Sequence, residues 1–242
     1  YAADAIRHLL QSERQDFEVV VADNSDDPAP LAELTASLGD PRLKLLAPAA
    51  APLSMRDNWE RIIPETSGEW LSYIGDDDYL DPELCEVIGL ARRVAPKMDC
   101  LSWGRAYYAW PEIRQGDEIT TLPVSSSLAT FDKKDLLKRL FFWEKATDRP
   151  TCPFGIYHGV VSRTLMEQIR QTFSDRYFEQ GNLDYDNICK VVMLTECCVL
   201  WERPLSVFGA CHASNTMALR DRNLAEERTI QFLAENPDGV QA

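Results

Sequence analysis

The chain has 242 residues, 45% of them hydrophobic, so it can bury a large core. Its formal net charge of −14 at pH 7 argues against a nucleic-acid partner, because duplex binders need a basic surface. No apolar stretch reaches the roughly 18–20 residues that span a membrane. The seven cysteines form no Cys-x-x-Cys pair, which favours reduced thiols and a cytoplasmic location and leaves membrane association open.

Predicted secondary structure in the first 95 residues alternates between strand and helix. The apolar face of residues 2–10 indicates a helix where an α/β domain would have a strand, so we expect a first strand before residue 1. The pattern then predicts strands at 17–22, 42–46 and 70–74, and helices at 31–38, 53–63 and 82–94. Such alternation is typical of a mostly parallel sheet covered by helices.

The remainder of the chain is less regular. A charged helix is predicted after residue 221. We therefore predict one α/β domain built of two parts, 1–95 and 96–220, followed by a helical tail at 221–242. In the second part, apolar and amphipathic runs predict strands at 101–103, 107–110, 156–162, 199–201 and 205–208 and helices at 132–145, 164–172 and 184–194.

Three consecutive carboxylates, Asp76, Asp77 and Asp78, follow the predicted strand at 70–74. Asp81 and the proline after it supply a helix N-cap and a first helical residue, so the carboxylates lie in a loop at the carboxyl end of a strand. Open α/β sheets bind ligands at such loops. Adjacent carboxylates repel one another, and a divalent cation would remove that repulsion. The alternative for this Asp loop (residues 75–78) is a solvated acidic turn.

Other motifs stand in a fixed order around the Asp loop. Ala22-Asp23-Asn24-Ser25 ends a strand, Arg56 lies on a helix, and Gly68-Glu69-Trp70 opens the strand that leads into Gly75-Asp76-Asp77-Asp78-Tyr79-Leu80-Asp81-Pro82. This order resembles family 2 glycosyltransferases of the GT-A fold, which carry an acidic turn after a strand, a helix with Arg or Asn, and a strand that runs into an Asp-x-Asp motif and a proline. Ala22 and Gly75 depart from the family pattern, since Asp is frequent at both positions.

The resemblance implies a binding site for a nucleotide-diphosphate sugar. Asp23 would accept a hydrogen bond from the nucleotide base, and a carboxylate suits the ring N–H of uracil or thymine, which favours UDP or dTDP. The alternative role for Asp23 is an Asx turn that caps its own loop. Arg56 would pair with a phosphate or with one of the Asp residues, and its alternative is an exposed helix arginine.

The resemblance also implies a divalent cation, Mn²⁺ or Mg²⁺, held by oxygen ligands on the Asp loop. By its spacing to Pro82, Asp77 matches the metal-binding carboxylate of the family. Asp76 would face the ribose or the metal. Asp78 would be a further metal ligand or would stabilise the loop.

The second part of the chain supplies candidates for the acceptor side. The segment Gly181-Asn182-Leu183-Asp184-Tyr185-Asp186-Asn187-Ile188-Cys189-Lys190 resembles the Glu-Asp segment of the family, in which an acid opens a helix and a basic residue follows six positions later. Asp184 would be the general base for the acceptor hydroxyl, with Asp186 in reserve, and its alternative is a helix N-cap. His158 would line the acceptor pocket and His212 would approach the metal; the alternative for each is a structural, hydrogen-bonded histidine.

The resemblance as a whole implies a GT-A fold with a mostly parallel sheet, in which residues 1–95 bind the donor and 96–220 bind the acceptor. The implied activity is metal-dependent, inverting transfer of a hexose or related sugar from a nucleotide-diphosphate donor to a hydroxyl of a carbohydrate or other acceptor, as in polysaccharide biosynthesis. Two alternatives stay open. One is a nucleotide-sugar-binding module without turnover. The other is a phosphatase that uses Asp76 and Asp78, although that chemistry favours Thr or Val where this chain has Leu80.

Overall fold

The computed structural model describes residues 1–114, 122, 124–144, 150–212, 214 and 222–235. Its strands are β1 (Val19–Val21), β2 (Leu43–Leu45), β3 (Trp70–Leu71), β4 (Tyr79–Leu80), β5 (Cys100–Ala109), β6 (Leu128–Phe131), β7 (Gly159–Ser162) and β8 (Cys198–Ala210). Its helices are α1 (Ala2–Leu10), α2 (Ala29–Leu38), α3 (Met55–Glu60), α4 (Leu84–Val94), α5 (Lys133–Phe141), α6 (Arg163–Thr172), α7 (Leu183–Leu194) and α8 (Arg222–Glu235), with 3-10 turns at Ile63–Glu65 and Pro111–Ile113.

The main sheet joins strands from both parts of the chain. Its order is β3-β7-β5-β8-β4, with β6 also paired to β8, and β1 and β2 form a separate parallel pair. The longest ladder, between β5 and β8, is parallel, whereas β3–β7, β4–β8, β5–β7 and β6–β8 are antiparallel. The predicted α/β class, with helices over a sheet, is confirmed. The predicted parallel pairing holds for β1–β2 and the central ladder, and antiparallel strands surround that ladder.

Both faces of the sheet are covered, so its central strands are apolar on both sides. Successive residues of β5 alternate between two cores: Cys100 packs into the cluster that contains residues of α5, α6 and α7, and Leu101 packs into the cluster that contains residues of α4. Val161 and Val160 of β7 alternate in the same way. Such burial on both faces explains the continuous apolar runs in these strands.

Two pairs of predicted short strands are each one long strand in the structure. Residues 101–103 and 107–110 fall mainly within β5, and 199–201 and 205–208 fall within β8. The register of the β5–β8 ladder shifts on both sides of Gly104, opposite the stretch of β8 that contains Pro204. A Cβ at Gly104 would lie 2.4 Å from the carbonyl oxygen of Glu202, so glycine permits the close approach of the two strands. An irregularity of this kind lets a proline lie within a long strand.

Other helix and strand boundaries shift by a few residues. The strand predicted at 70–74 is only Trp70–Leu71, and Tyr73 continues as a single bridge to Tyr157. The helix predicted at 132–145 ends at Phe141. Among the helices that the structure describes, none combines the length and apolar character needed to cross a bilayer.

Candidate functional site

Asp78 is fully buried, and its carboxylate fixes the Asp loop in place. Its Oδ2 atom accepts hydrogen bonds from the main-chain N–H of Gly75 (2.7 Å) and the hydroxyl of Tyr157 (2.8 Å). Its Oδ1 atom accepts one from the main-chain N–H of Gly209 (2.8 Å). Burial favours the neutral acid, but the neighbouring His158 and these hydrogen bonds outweigh burial and lower the pKa of Asp78. The side chain therefore stabilises the loop, and its burial removes it as an accessible metal ligand.

His158 lies behind Asp78 and connects it to the sheet. The Nε2 atom of His158 is 3.1 Å from Oδ2 of Asp78, and its Nδ1 atom is 2.8 Å from the hydroxyl of Ser206. The indole N–H of Trp103 donates to the same hydroxyl (2.8 Å). Because Ser206 accepts from Trp103, its own proton can serve Nδ1, which leaves a proton on Nε2 facing the carboxylate. His158 is buried in this network, so the prediction that it lines an acceptor pocket is replaced by the structural alternative.

Asp77 is held from two directions. Its carboxylate Oδ2 accepts a hydrogen bond from the hydroxyl of Ser214 (2.6 Å), and its main-chain carbonyl accepts one from the indole N–H of Trp110 (3.0 Å). The Ser214 hydroxyl also accepts from the main-chain N–H of Cys211 (2.8 Å). The C-terminal segment was predicted to reach the Asp loop through His212. The segment does reach the loop, but through Ser214, and His212 is exposed beside Glu112.

Strand β8 passes so close to the Asp loop that a side chain cannot fit between them. A Cβ at Gly209 would lie 1.7 Å from the carbonyl oxygen of Asp77. Glycine is required there because the main chain must approach both this carbonyl and the Asp78 carboxylate. Nothing in the local sequence pattern marks Gly209, since its partner lies more than 130 residues away.

Asp76 is exposed at the outer edge of the Asp loop. Reduced solvation by the surrounding protein raises the pKa of Asp76, and the adjacent Asp77 charge raises it further.

Within the part of the chain that the structure describes, no three His, Cys, Asp or Glu residues form a ready metal cluster. The exposed Asp76 and the half-buried Asp77 nevertheless fit Mn²⁺ or Mg²⁺, which bind through one or two carboxylates and complete their shell with substrate phosphates and water.

Asp184 lies exposed in the first turn of α7. The N-cap position of α7 belongs to Asn182, so the alternative role of Asp184 as the N-cap is wrong. Burial raises the pKa of Tyr157, and the charges of Asp78, Asp77 and Asp184 add to that effect. Asp78 contacts the Tyr157 hydroxyl directly, and Asp77 and Asp184 lie near enough for their charges to act on it.

Asp186 has a structural role and is removed as the reserve base. Its buried carboxylate accepts hydrogen bonds from the main-chain N–H groups of Glu179 (2.7 Å) and Gln180 (3.2 Å). It also pairs with the ammonium group of Lys190 at 3.0 Å, and Lys190 binds the Glu179 carboxylate at 2.9 Å. Lys190 thus pairs with Asp186 and Glu179 rather than with Asp184 six residues before it, and these contacts hold the segment before α7 in place.

Asp23 adopts the Asx turn that was its alternative role, and only one of its two carboxylate oxygens is used in that turn. Its Oδ1 atom accepts a hydrogen bond from the main-chain N–H of Ser25 (2.9 Å). Its Oδ2 atom is buried and finds no hydrogen-bond partner among the described residues. Arg61 donates to the main-chain carbonyl of Asp23 (2.9 Å) and fixes the turn against the end of α3. A buried carboxylate oxygen without a partner favours a donor supplied from outside the chain.

Arg56 is paired within the protein. Its guanidinium lies 3.3 Å from the Asp57 carboxylate and donates to the main-chain carbonyl of Glu179 (3.2 Å). Asp57 is also bound by Arg176 at 2.6 Å. Burial opposes ionisation of Asp57, yet Arg176, Ser54 and Arg56 together lower the pKa of this carboxyl to about 2. Arg56 therefore pairs with its neighbour Asp57 and with none of the described Asp residues of the predicted site, and these contacts join α3 to the segment before α7.

Comparison with known proteins identifies the fold. No protein-family model and no curated protein sequence matches the chain. Solved structures do match, and they show a glycosyltransferase-like α/β fold. One is S. aureus TarS 1–349 in complex with UDP-GlcNAc, with a TM-score of 0.63 and 13% identity over 94% of this chain and 62% of that chain. Another is TarS 1–349 in complex with UDP, with a TM-score of 0.59 and 14% identity over 97% of this chain and 66% of that chain. The chain spans less than two thirds of the length of each.

The close approach at Gly209 can be tested by stability measurements. Gly209→Ala places a methyl group against the Asp77 carbonyl, and overpacking of this kind costs typically about 1–3 kcal/mol of unfolding free energy. The matched control is Gly89→Ala in α4, where a Cβ meets open space and the helix gains up to about 1 kcal/mol. Urea denaturation of both variants measures the difference. Equal stability of Gly209→Ala and the parent protein would contradict the described geometry.

Proposed function

We propose that the protein is a metal-dependent, inverting glycosyltransferase of the family 2 type, with UDP or dTDP as the nucleotide of its donor. The observation that carries this proposal is an Asp loop on a glycosyltransferase-like fold, with Asp76 exposed and Asp77 half-buried beside it. Asp77 and Asp184 also lie near enough to the Tyr157 hydroxyl for both charges to raise its pKa. A hexose or related sugar would pass from the donor to a hydroxyl of a carbohydrate or other acceptor. Residues 1–95 would bind the donor, and 96–220 would bind the acceptor.

The nucleotide preference rests on two independent supports. The TarS structures that share the fold were solved with UDP and UDP-GlcNAc. In this chain, the partnerless Oδ2 atom of Asp23 is a buried acceptor at the end of β1. The ring N–H of uracil or thymine would satisfy that oxygen, whereas the corresponding position of adenine is itself an acceptor and would be repelled.

Residues for a divalent cation are supplied by the outer part of the Asp loop. Asp77 would hold Mn²⁺ or Mg²⁺, and Asp76 would bind the cation or the ribose. Ser214 occupies Oδ2 of Asp77, but a carboxylate offers about four lone-pair sites, so Asp77 keeps acceptor capacity. A bound cation would neutralise the charge of the departing diphosphate. Asp78 takes no part as a ligand, because it is committed to holding the loop.

The chemical step would be a single displacement at the anomeric carbon. The acceptor oxygen forms the new bond to this carbon from the side opposite the diphosphate, and the bond to the diphosphate breaks with its electron pair. Asp184 takes the proton of the acceptor hydroxyl as general base. Its exposed position at the start of α7 leaves it accessible to an acceptor, in contrast to the buried Asp186.

The proposed need for a divalent cation in donor binding can be tested by thermal denaturation. UDP at 100 times its dissociation constant stabilises the protein by about 2.7 kcal/mol, which should raise Tm by about 5–10 °C when Mn²⁺ is present. EDTA should abolish the rise, and so should Asp77→Asn. Asp26→Ala, which changes an exposed acid elsewhere, should keep the full effect. An equal rise in Tm with EDTA would remove the metal from the proposal.

The proposed recognition of the nucleotide base by Asp23 can be tested by binding measurements. Calorimetry should show tighter binding of UDP than of ADP, and Asp23→Ala should erase a preference of about 1–3 kcal/mol. Asp27→Ala is the matched control, because Asp27 also accepts a main-chain N–H two residues on (3.1 Å) but is exposed. This control should leave the preference unchanged. If ADP binds the parent protein as tightly as UDP, Asp23 does not read the base.

The third prediction separates transfer from donor binding. Asp184→Asn should lower the transfer rate about 10²–10⁴-fold while Tm and UDP affinity hold, because only the proton acceptor is lost. Asp175→Asn, at another exposed acid, should transfer at the parent rate. Donor binding by the parent without any transfer would favour the binding-module alternative. A rate within a few-fold of the parent for Asp184→Asn would exclude this residue as the base.

A further inference from the structure

Helix α5 ends in three exposed aromatic side chains. The exposed fractions are 45% for Phe141, 78% for Phe142 and 60% for Trp143. Trp143 also has a φ of 55°, which a bulky residue rarely adopts. Large aromatic side chains are mostly buried in folded proteins, and consecutive exposed ones mark a surface that contacts something else.

Helix α5 is rich in basic residues, although the protein is strongly acidic. Residues 133–141 contain four basic side chains and one acidic side chain; Asp132 and Glu144 flank the helix, so residues 132–144 have a net charge of +1 in a chain of −14. Leu136 and Leu140 face the core. At 100° per residue, Lys134, Lys138 and Phe142 form a row on the opposite side of the helix. The α5 face (Lys134, Lys138, Arg139, Phe141, Phe142 and Trp143) therefore combines three basic side chains with exposed rings, and Asp135 is an exposed acid on the same side of the helix.

We propose that the α5 face docks onto the surface of a lipid bilayer that contains anionic lipids. Aromatic rings lie favourably at the level of the headgroups, and lysine and arginine beside them contact anionic headgroups. The acidic remainder of the protein would be repelled by such a surface, so docking would occur through this face only. Repulsion from distant charges is screened beyond about 8–10 Å at physiological salt, which leaves the local basic cluster to act. The docking is independent of the proposed transfer reaction.

Vesicle co-sedimentation tests the proposal with the full chain. The protein should pellet with phosphatidylcholine vesicles that contain phosphatidylglycerol, should stay in solution with phosphatidylcholine alone, and should be released by added salt. Lys134→Gln with Lys138→Gln should lower the partition coefficient roughly thirtyfold. Phe142→Ala with Trp143→Ala should lower it about tenfold or more.

Matched controls use exposed residues on another part of the surface. Lys97→Gln removes an 82% exposed lysine, and Val94→Ala shortens a 62% exposed apolar side chain. Both should bind vesicles like the parent, and all variants should keep the parent Tm. Failure of the parent to pellet, equal pelleting with neutral vesicles, or parent-like pelleting by both α5 variants would overturn the proposal. A dimer in sedimentation velocity that the Phe142→Ala and Trp143→Ala pair abolishes would assign the face to a second copy of the chain instead.

Discussion

The buried carboxylate of Asp78 is the constraint on which the site depends. A charge removed from water is costly unless hydrogen bonds and opposite charge replace its hydration. Here the replacements come from the Asp loop itself, from the segment that precedes β7, and from β8: Gly75, Tyr157, His158 and Gly209. In its buried position the carboxylate is kept ionised by groups from all three segments. The conformation of the Asp loop therefore depends on the tertiary structure around Asp78.

Strand pairing supports the same arrangement from the other side of the loop. Strand β4 begins directly after Asp78 and pairs with β8, with Tyr79 opposite Val207 and Leu80 opposite Ser206. Ser206 in turn contacts His158 behind Asp78. The loop is thus held by main-chain pairing at its end and by a side-chain network beneath it. This double attachment holds in place the loop that carries Asp76 and Asp77, and a binding site needs side chains positioned in this way.

Sequence reasoning located the Asp loop, α7 and the α/β class because each depends on local patterns that run along the chain. It assigned the metal to Asp77 by resemblance but left two roles open for each of Asp76 and Asp78, since adjacent aspartates differ only in what surrounds them. Asp184 and Asp186 posed the same difficulty: residues two apart on a helix point in different directions, and burial alone separates them. Tyr157 and Ser214 were missed as contacts of Asp78 and Asp77 because they lie 79 and 137 residues away along the chain. Strand direction was only partly predictable, because apolar runs look alike in parallel and antiparallel ladders.

Asp78 is buried, whereas Asp76 and Asp77 are not, and this difference has an electrostatic consequence. Hydrogen-bond donors of the protein stabilise the charge of the buried Asp78. The repulsion between Asp76 and Asp77 is not relieved in this way, and it contributes to the raised pKa of Asp76. In a chain with a net charge of −14, an approaching diphosphate would meet this repulsion at the site itself. On the proposed function, donor and cation would therefore have to bind together or with the cation first, since neither the loop nor the diphosphate supplies positive charge.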